Sequence, residues 1–272
     1  MTETFALGDG VAARRGDASD LAAASADLPA GAYTTLRTYG GDGVAFLDDH
    51  ARRLVESVAA QGHPAPLDGD RLREGLAAVL RATGHPESKI RLTFAPPDLF
   101  ASIDRFDPLP ERLYQDGVWC VAVPVRRDVP HAKDTRFVAA ARGAYEALPD
   151  GAHEGLLLAE DGVVLEGLSS NFFAVLDGVL RTEDSRALRG TTRATVLELA
   201  RGLVPVSLEG VTRAELGRAT EAFLTSVSRE VLSVVKVDDV AIARGRPGPL
   251  ARELRRRYRA RAAAAAEHLL GP

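Results

Sequence analysis

Between residues 155 and 182 the chain places four short apolar runs, 155–159, 163–166, 171–176 and 179–182, and punctuates them with Asp161-Gly162 and Asp177-Gly178. Asp-Gly supplies the positive φ of two-residue hairpin turns at little steric cost. Runs this short joined by such turns pair antiparallel, so the chain must build a sheet of short strands. The segments that follow fit the same body: a helix over 192–203, a strand near 204–208, a short helix from Thr212, and strands over 222–225 and 231–237. The tail, 250–270, reads as a helix with Leu250, Leu254 and Tyr258 on one face.

The first part of the chain has a different rhythm. Residues 32–39 carry the β-branched and aromatic content of a strand, and Gly40-Gly41-Asp42-Gly43 turns it into a second strand over 44–47. Asp48 is the expected cap of a helix whose inner face holds Ala51, Leu54, Val55, Val58 and Ala59, with Gly62 closing it and Arg53 beside that face. A second helix is expected over 70–83, and strands over 89–94 and 118–125; residues 1–28 show weak periodicity and read as an irregular edge or short strands. Alternating strands and helices predict a small α/β N-terminal domain over 1–124. Pro124-Val-Arg-Arg-Asp-Val-Pro130 marks a semi-rigid crossover, with 125–130 as the linker, and 131–272 form a larger, mixed, β-rich C-terminal domain. That domain opens with His131-Ala-Lys133-Asp-Thr135 and a helix carrying Phe137, Val138, Ala141, Tyr145 and Leu148.

A chain of 272 residues with a net charge of -4 is too near neutral to point to nucleic acid. No apolar run reaches the roughly 20 residues a bilayer span needs, and the N-terminus lacks the pattern of a signal peptide, so the expected location is the cytoplasm. One cysteine, Cys120, excludes an internal disulfide, and six scattered histidines without chelating spacing predict no metal site. Of 34 basic residues only Lys89, Lys133 and Lys236 are lysines. Chemistry that needs a deprotonatable amine cannot use arginine, so these three ammonium groups stand out.

Weighed singly, each candidate has a plain structural reading. Glu166 ends a strand of valine and leucine and by itself reads better as a solvent-facing strand end than as an acid in a cleft. Arg53 reads as a stem laid over apolar surface. Arg189 and Arg193 surround a helix N-terminus where acids are expected, which suits either a bound anion or a solvated turn with Thr192 as an ordinary N-cap. Lys133 alone is one solvated lysine among others. Together they match one ligand: an amine for a Schiff base, an acid for a pyridine nitrogen, and an arginine with a helix N-terminus for a phosphate.

The chain resembles the class IV, or fold type IV, pyridoxal-phosphate aminotransferases, which include branched-chain and D-amino acid aminotransferases and the related aminodeoxychorismate lyases. His50-Ala-Arg-Arg53-Leu-Val-Glu-Ser57 is similar to the family helix whose arginine binds cofactor phosphate. Ala132-Lys133-Asp-Thr135 resembles the lysine segment, and Glu166-Gly-Leu-Ser-Ser170-Asn171, 33 positions on, the strand whose glutamate meets the pyridine nitrogen. Leu188-Arg-Gly-Thr191-Thr192-Arg193 resembles the leucine that packs on the ring and the turn that holds the phosphate; Ser226 and Val227 lie in a looser match to a second phosphate loop.

The resemblance implies a two-domain fold, pyridoxal 5′-phosphate as cofactor, Lys133 as the catalytic amine, an amino donor and a 2-oxo acid as substrates, and a homodimer whose site lies at the domain interface and is completed by the neighbouring subunit. Tyr33 and Arg91 are the expected substrate-side residues, Arg91 for a carboxylate. Three positions depart from the family: Thr34 stands where many relatives carry glutamate, Phe137 and Val138 lie where branched-chain enzymes place a tyrosine, and Val227 replaces a threonine. These leave the substrate open, with aminodeoxychorismate lyase the alternative reaction on the same residues. A third reading, from outside enzymology, is polyanion binding through Arg252, Arg255, Arg256, Arg257 and Arg259; a solvated face of an amphipathic helix explains that cluster better.

Overall fold

The computed structural model describes residues 1–8 and 11–271. In chain order its first elements are β1 (Thr2–Gly8), β2 (Val11–Ala18), α1 (Leu21–Ala26), β3 (Ala32–Tyr39), β4 (Gly43–Ala45), α2 (Leu47–Ala60), α3 (Gly69–Thr83), β5 (Ser88–Ala95) and β6 (Asp98–Arg105). Next come α4 (Glu111–Asp116), β7 (Val118–Val123), α5 (Arg136–Glu146), β8 (Ala152–Leu158), β9 (Val164–Gly167), β10 (Asn171–Leu176) and β11 (Val179–Arg181). The chain ends with α6 (Thr191–Ala200), β12 (Val206–Ser207), β13 (Glu221–Ser226), β14 (Glu230–Val237), β15 (Val240–Ala241), α7 (Pro249–Ala264) and β16 (Ala266–His268). Contacts divide it into two compact units: Met1–Asp107 with His131–Ala139 and Ala262–Pro272, and Pro108–Pro130 with Ala140–Arg261.

The first unit is built on a seven-stranded sheet in the order β16-β4-β3-β5-β6-β1-β2, antiparallel at every pairing. Strand periodicity puts Ala32 and Leu36 of β3 and Ile90, Leu92 and Phe94 of β5 on one face, where α2 and α3 add Leu54, Val58, Leu72, Leu76 and Val79 to a continuous core. Each such leucine removed from water is worth about 2–3 kcal/mol, which makes helix docking rather than helix propensity the stabilising term. Asp68 caps α3 by accepting from Asp70 N and Arg71 N, and Gly84 ends it in the left-handed conformation that glycine adopts without strain.

Two expectations fail in this unit, and a third resolves to one of its alternatives. Asp48 is not the cap of α2: Phe46 holds that position with φ 57°, and Asp48 sits in the first turn, where the helix dipole favours an acid. Residues 2–8 and 11–18, expected as an irregular edge or short strands, are strands of seven and eight residues, because β1 pairs with β2 and with β6 far along the chain. The tail is not helical to residue 270; β16 leaves the helix to pair with β4, and Asp42 fixes the end by bonding His268 Nδ1 (2.7 Å) and Leu270 N (3.0 Å).

The second unit holds a nine-stranded sheet with the path β12-β11-β10-β13-β14-β7-β8-β9, with β15 on β14. Asn171, the first residue of β10, also pairs with Glu166 of β9. That one pairing closes β10, β13, β14, β7, β8 and β9 into a ring and covers the edge of β9, leaving β12 as the end of the path. The hairpins joined by Asp161-Gly162 and Asp177-Gly178 are antiparallel as their turns predict. The strand expected over 118–125 is β7; it lies in this sheet between β14 and β8 and is parallel to both, since no tight turn joins it to either. Its Val118 and Cys120 join Leu156, Phe172, Leu224 and Leu232 in the core.

Candidate active site

In the first unit Lys133 is fixed by its backbone. Its N–H donates to Ser57 Oγ of α2 (3.1 Å), and its carbonyl accepts from Tyr33 N of β3 (2.8 Å). Thr135 closes the segment onto Gly31, N to O at 2.9 Å and Oγ1 from Gly31 N at 3.0 Å. With the main chain held on both sides, the half-exposed side chain leaves a rigid base, and its Nζ lies 4.6 Å from the centroid of the Tyr33 ring. The guanidinium of Arg91 stands 4.8 Å from the same ring.

Alternation along β3 sends Thr34 to the opposite face, toward α2. Thr34 Oγ1 takes a 2.5 Å hydrogen bond from Arg53 Nη2 and shares one of 2.7 Å with His50 Nδ1. All three side chains are buried. Burial, then the charges of Arg53 and Lys133, press the pKa of His50 well below its ordinary 6.5, so the imidazole is neutral at physiological pH. The helix motif thus brings Arg53, His50 and Ser57 to one face, and Thr34 is part of the cluster. Arg91 donates to Leu21 O and Ser25 Oγ of α1, both at 2.8 Å, and is half-buried rather than a surface strand residue.

In the second unit the site residues gather at the seam of the ring. Glu166 is 3% exposed; its Oε1 accepts from Arg127 Nε at 2.8 Å, and Arg127 is itself 6% exposed. Oε2 accepts from Leu188 N at 3.2 Å, while Asn171 Nδ2 donates to Leu188 O at 2.6 Å. Glu166 and its strand partner Asn171 therefore grip both backbone polar groups of Leu188, one in each flanking peptide unit, and fix where its side chain goes. A Cβ on Gly190 would come within 2.3 Å of Asn171 Oδ1, so that turn requires glycine. Thr225, directly opposite Asn171 on β13, extends this buried polar row; its hydroxyl has no partner among the described residues. Nothing in the sequence singled out Thr225, because its place is set by register across three strands.

Helix α6 starts from Gly190 as N-cap, with Ala194 N bonding Gly190 O at 2.9 Å. Thr191 and Thr192 are thus its first two residues, and Thr192 is not the N-cap; it is buried, with Oγ1 3.4 Å from Tyr258 OH. The cations around this turn do not need a ligand for balance. Asp184 pairs with Arg189 (2.7 Å) and Arg193 (2.9 Å). Ser226 Oγ accepts from Arg229 N at 3.3 Å, closing the hairpin turn that carries Val227, and Ser170 Oγ donates to Glu154 Oε2 at 2.9 Å. The arginines of α7 are likewise met within the unit: Arg255 and Arg259 by Glu230, Arg256 and Arg257 by Glu253. That leaves little of the cluster for a polyanion.

The second unit thus carries a buried carboxylate held by an arginine at a β seam and a glycine turn leading into a helix N-terminus, and the first unit a backbone-clamped lysine and a buried arginine. The sequence model of the family described as Amino-transferase class IV matches residues 31–237, and this chain belongs to that family. Among its relatives, the branched-chain-amino-acid aminotransferase of Pseudomonas aeruginosa is 29% identical over 256 residues, covering 84% of this chain and 82% of its own. The solved 4-amino-4-deoxychorismate lyase of Pseudomonas aeruginosa superposes with a TM-score of 0.75 at 29% identity, covering 97% of this chain and all of its own. The T.th. branched-chain amino acid aminotransferase, solved with pyridoxamine 5′-phosphate, shares the fold at a TM-score of 0.81 and 24% identity, over 98% of each chain.

Proposed function

We propose that this chain is a pyridoxal 5′-phosphate-dependent aminotransferase that moves an amino group between an amino acid, or an amine, and a 2-oxo acid in a ping-pong cycle. The observation that carries this reading is the grip on Glu166. Arg127 Nε donates to Oε1, and Oε2, with one backbone donor, keeps an acceptor position for a ring N–H. The remaining residues fit the same cofactor: Lys133 supplies the amine, Leu188 the apolar contact to the ring, and Arg53, Thr191, Thr192, Ser226 and the Val227 backbone N–H the phosphate donors, with Ser170 and Asn171 ordering the strand after the acid.

When bound, the cofactor supplies an aldehyde for amine chemistry and a ring that draws electrons away from Cα. Lys133 Nζ would be the amine that holds the cofactor and would serve as the base that moves the Cα proton. Ser57 and Tyr33 hold its main chain, so the ammonium swings on the side chain alone. Glu166 would accept from the ring N–H through Oε2. Arg91 and Tyr33 serve the donor side, where a substrate carboxylate meets the guanidinium.

Borohydride reduction after loading with pyridoxal 5′-phosphate, followed by peptide mapping, is expected to label Lys133; a label elsewhere, or none, overturns the assignment. A spectral screen of L- and D-amino acids and simple amines then identifies the donor. The lyase neighbour supports a second reading, release of pyruvate from aminodeoxychorismate, which needs no 2-oxo acid and is separated from transamination by omitting the acceptor. We also propose a homodimer, and light scattering that finds a fully active monomer removes it.

A further inference from the structure

The second unit contains a buried charge pair that the reading above does not use. Glu154 of β8 is fully buried, and Arg229 follows the hairpin turn of Ser226 and Val227. Arg229 Nη1 lies 3.4 Å from Glu154 Oε2 and donates to Ser169 Oγ at 2.8 Å; Nη2 donates to Tyr145 OH and Nε to His153 Nε2, both at 3.3 Å. Glu154 accepts from Tyr145 OH through Oε1, and from Ser170 Oγ (2.9 Å) and Ser169 Oγ (3.3 Å) through Oε2. Burial alone would lower the Arg229 pKa, but the facing Glu154 carboxylate and Tyr145 hydroxyl reverse this and hold it above its ordinary value. Burial and Arg229 both lower the pKa of His153, which accepts as a neutral ring.

The geometry joins two turns that the sequence places 56 residues apart, 170 and 226. The main chain of Arg229 closes one turn on Ser226 Oγ, while its side chain, through Glu154, grips the two serines of the other. A Cβ on Gly167 would come within 2.3 Å of Ser170 Oγ and 2.9 Å of Glu154 Cγ, so that second turn is packed directly onto the acid. Two turns tied this way cannot shift separately.

We propose that Glu154 and Arg229 are positioning residues: a buried ion pair that locks the turn of Ser226 and Val227 to the turn of Ser169 and Ser170, so that the first presents its donors to the cofactor phosphate from a rigid base. This rests on the cofactor reading above. The pair acts on the phosphate end and not on the aldehyde end, which Lys133 holds. Its removal therefore weakens ligands that carry the phosphate and spares those that lack it, whereas a pair that only stabilised the ring would weaken both.

Equilibrium dialysis of the apo protein against pyridoxal 5′-phosphate and against pyridoxal, which lacks the phosphate, tests this for wild type, Arg229→Met, Arg229→Lys and Glu154→Gln. The expected result is a loss of about tenfold or more in affinity for the phosphate ester in Arg229→Met and Glu154→Gln, with pyridoxal changed by less than about twofold. Arg229→Lys, which keeps the charge but not the fork, should recover part of the loss. Equal losses for both ligands, or no loss for either, overturn the inference. Should Arg229→Met not fold, Glu154→Gln, which preserves shape, decides the same ratio. If wild type shows no preference for the phosphate ester and no label at Lys133, the cofactor reading itself fails; if wild type shows both and the variants keep the preference, this inference alone fails.

Discussion

The two sheets of this protein handle charge in opposite ways. In the first unit an open antiparallel sheet and α2 bring Arg53 and Lys133 near a neutral His50, with the hydroxyl of Thr34 bonded to both Arg53 and His50. In the second, the ring closes on a carboxylate that already has its cation, Glu166 on Arg127, both almost fully buried. One half is poised to receive negative charge, and the other is internally balanced and built to orient. Mutations should therefore separate: those in the first unit act on function with modest effects on stability, those at the seam on both.

The sharpest break is Lys133→Arg. A permanently charged guanidinium cannot join an aldehyde, so turnover should fall by about a thousandfold or more while the melting temperature barely moves, measured by single-turnover absorbance and calorimetry. Glu166→Ala comes next and should strike both properties: Arg127 is left as an uncompensated buried cation, at a cost of about 3–5 kcal/mol, visible as a lower denaturation midpoint. An unchanged midpoint would show that the pair does not hold the seam. Gly190→Ala forces Asn171 off Leu188 O and should destabilise by about 1–3 kcal/mol in the same assay.

The smallest effect is one of pH. His50 has its pKa well below 6.5 in the folded state and ordinary in the unfolded one, so the unfolded chain gains a proton first as pH falls. Stability is full above about pH 6.5 and declines below it, and His50→Asn should flatten that decline in melting temperatures recorded against pH. An anion bound near Arg53 should also raise the His50 pKa, which imidazole proton shifts in a phosphate titration can follow.

The site was more legible in the sequence than the fold around it. Lys133, Arg53, Glu166 and Leu188 each sit in a short motif whose residues act together locally, and the Asp-Gly turns announced their hairpins. Residues 1–18 gave no such sign. Alanine, aspartate and glycine carry little strand periodicity, and β1 exists because β6 offers it an edge. The tail misled for the same reason in reverse: its alanine-rich run favours helix, yet pairing with β4 decides the last residues. Charge balance was equally hidden. Asp184 beside Arg193, and Arg127 beside Glu166, are partners that only the folded chain brings into view.

The ring of the second unit is joined at a single residue pair, and both members of that pair also steady the peptide on which Leu188 stands. Anyone redesigning this chain should therefore leave that joint untouched, because a side chain changed there loosens the closure of the ring and the Leu188 backbone in one stroke.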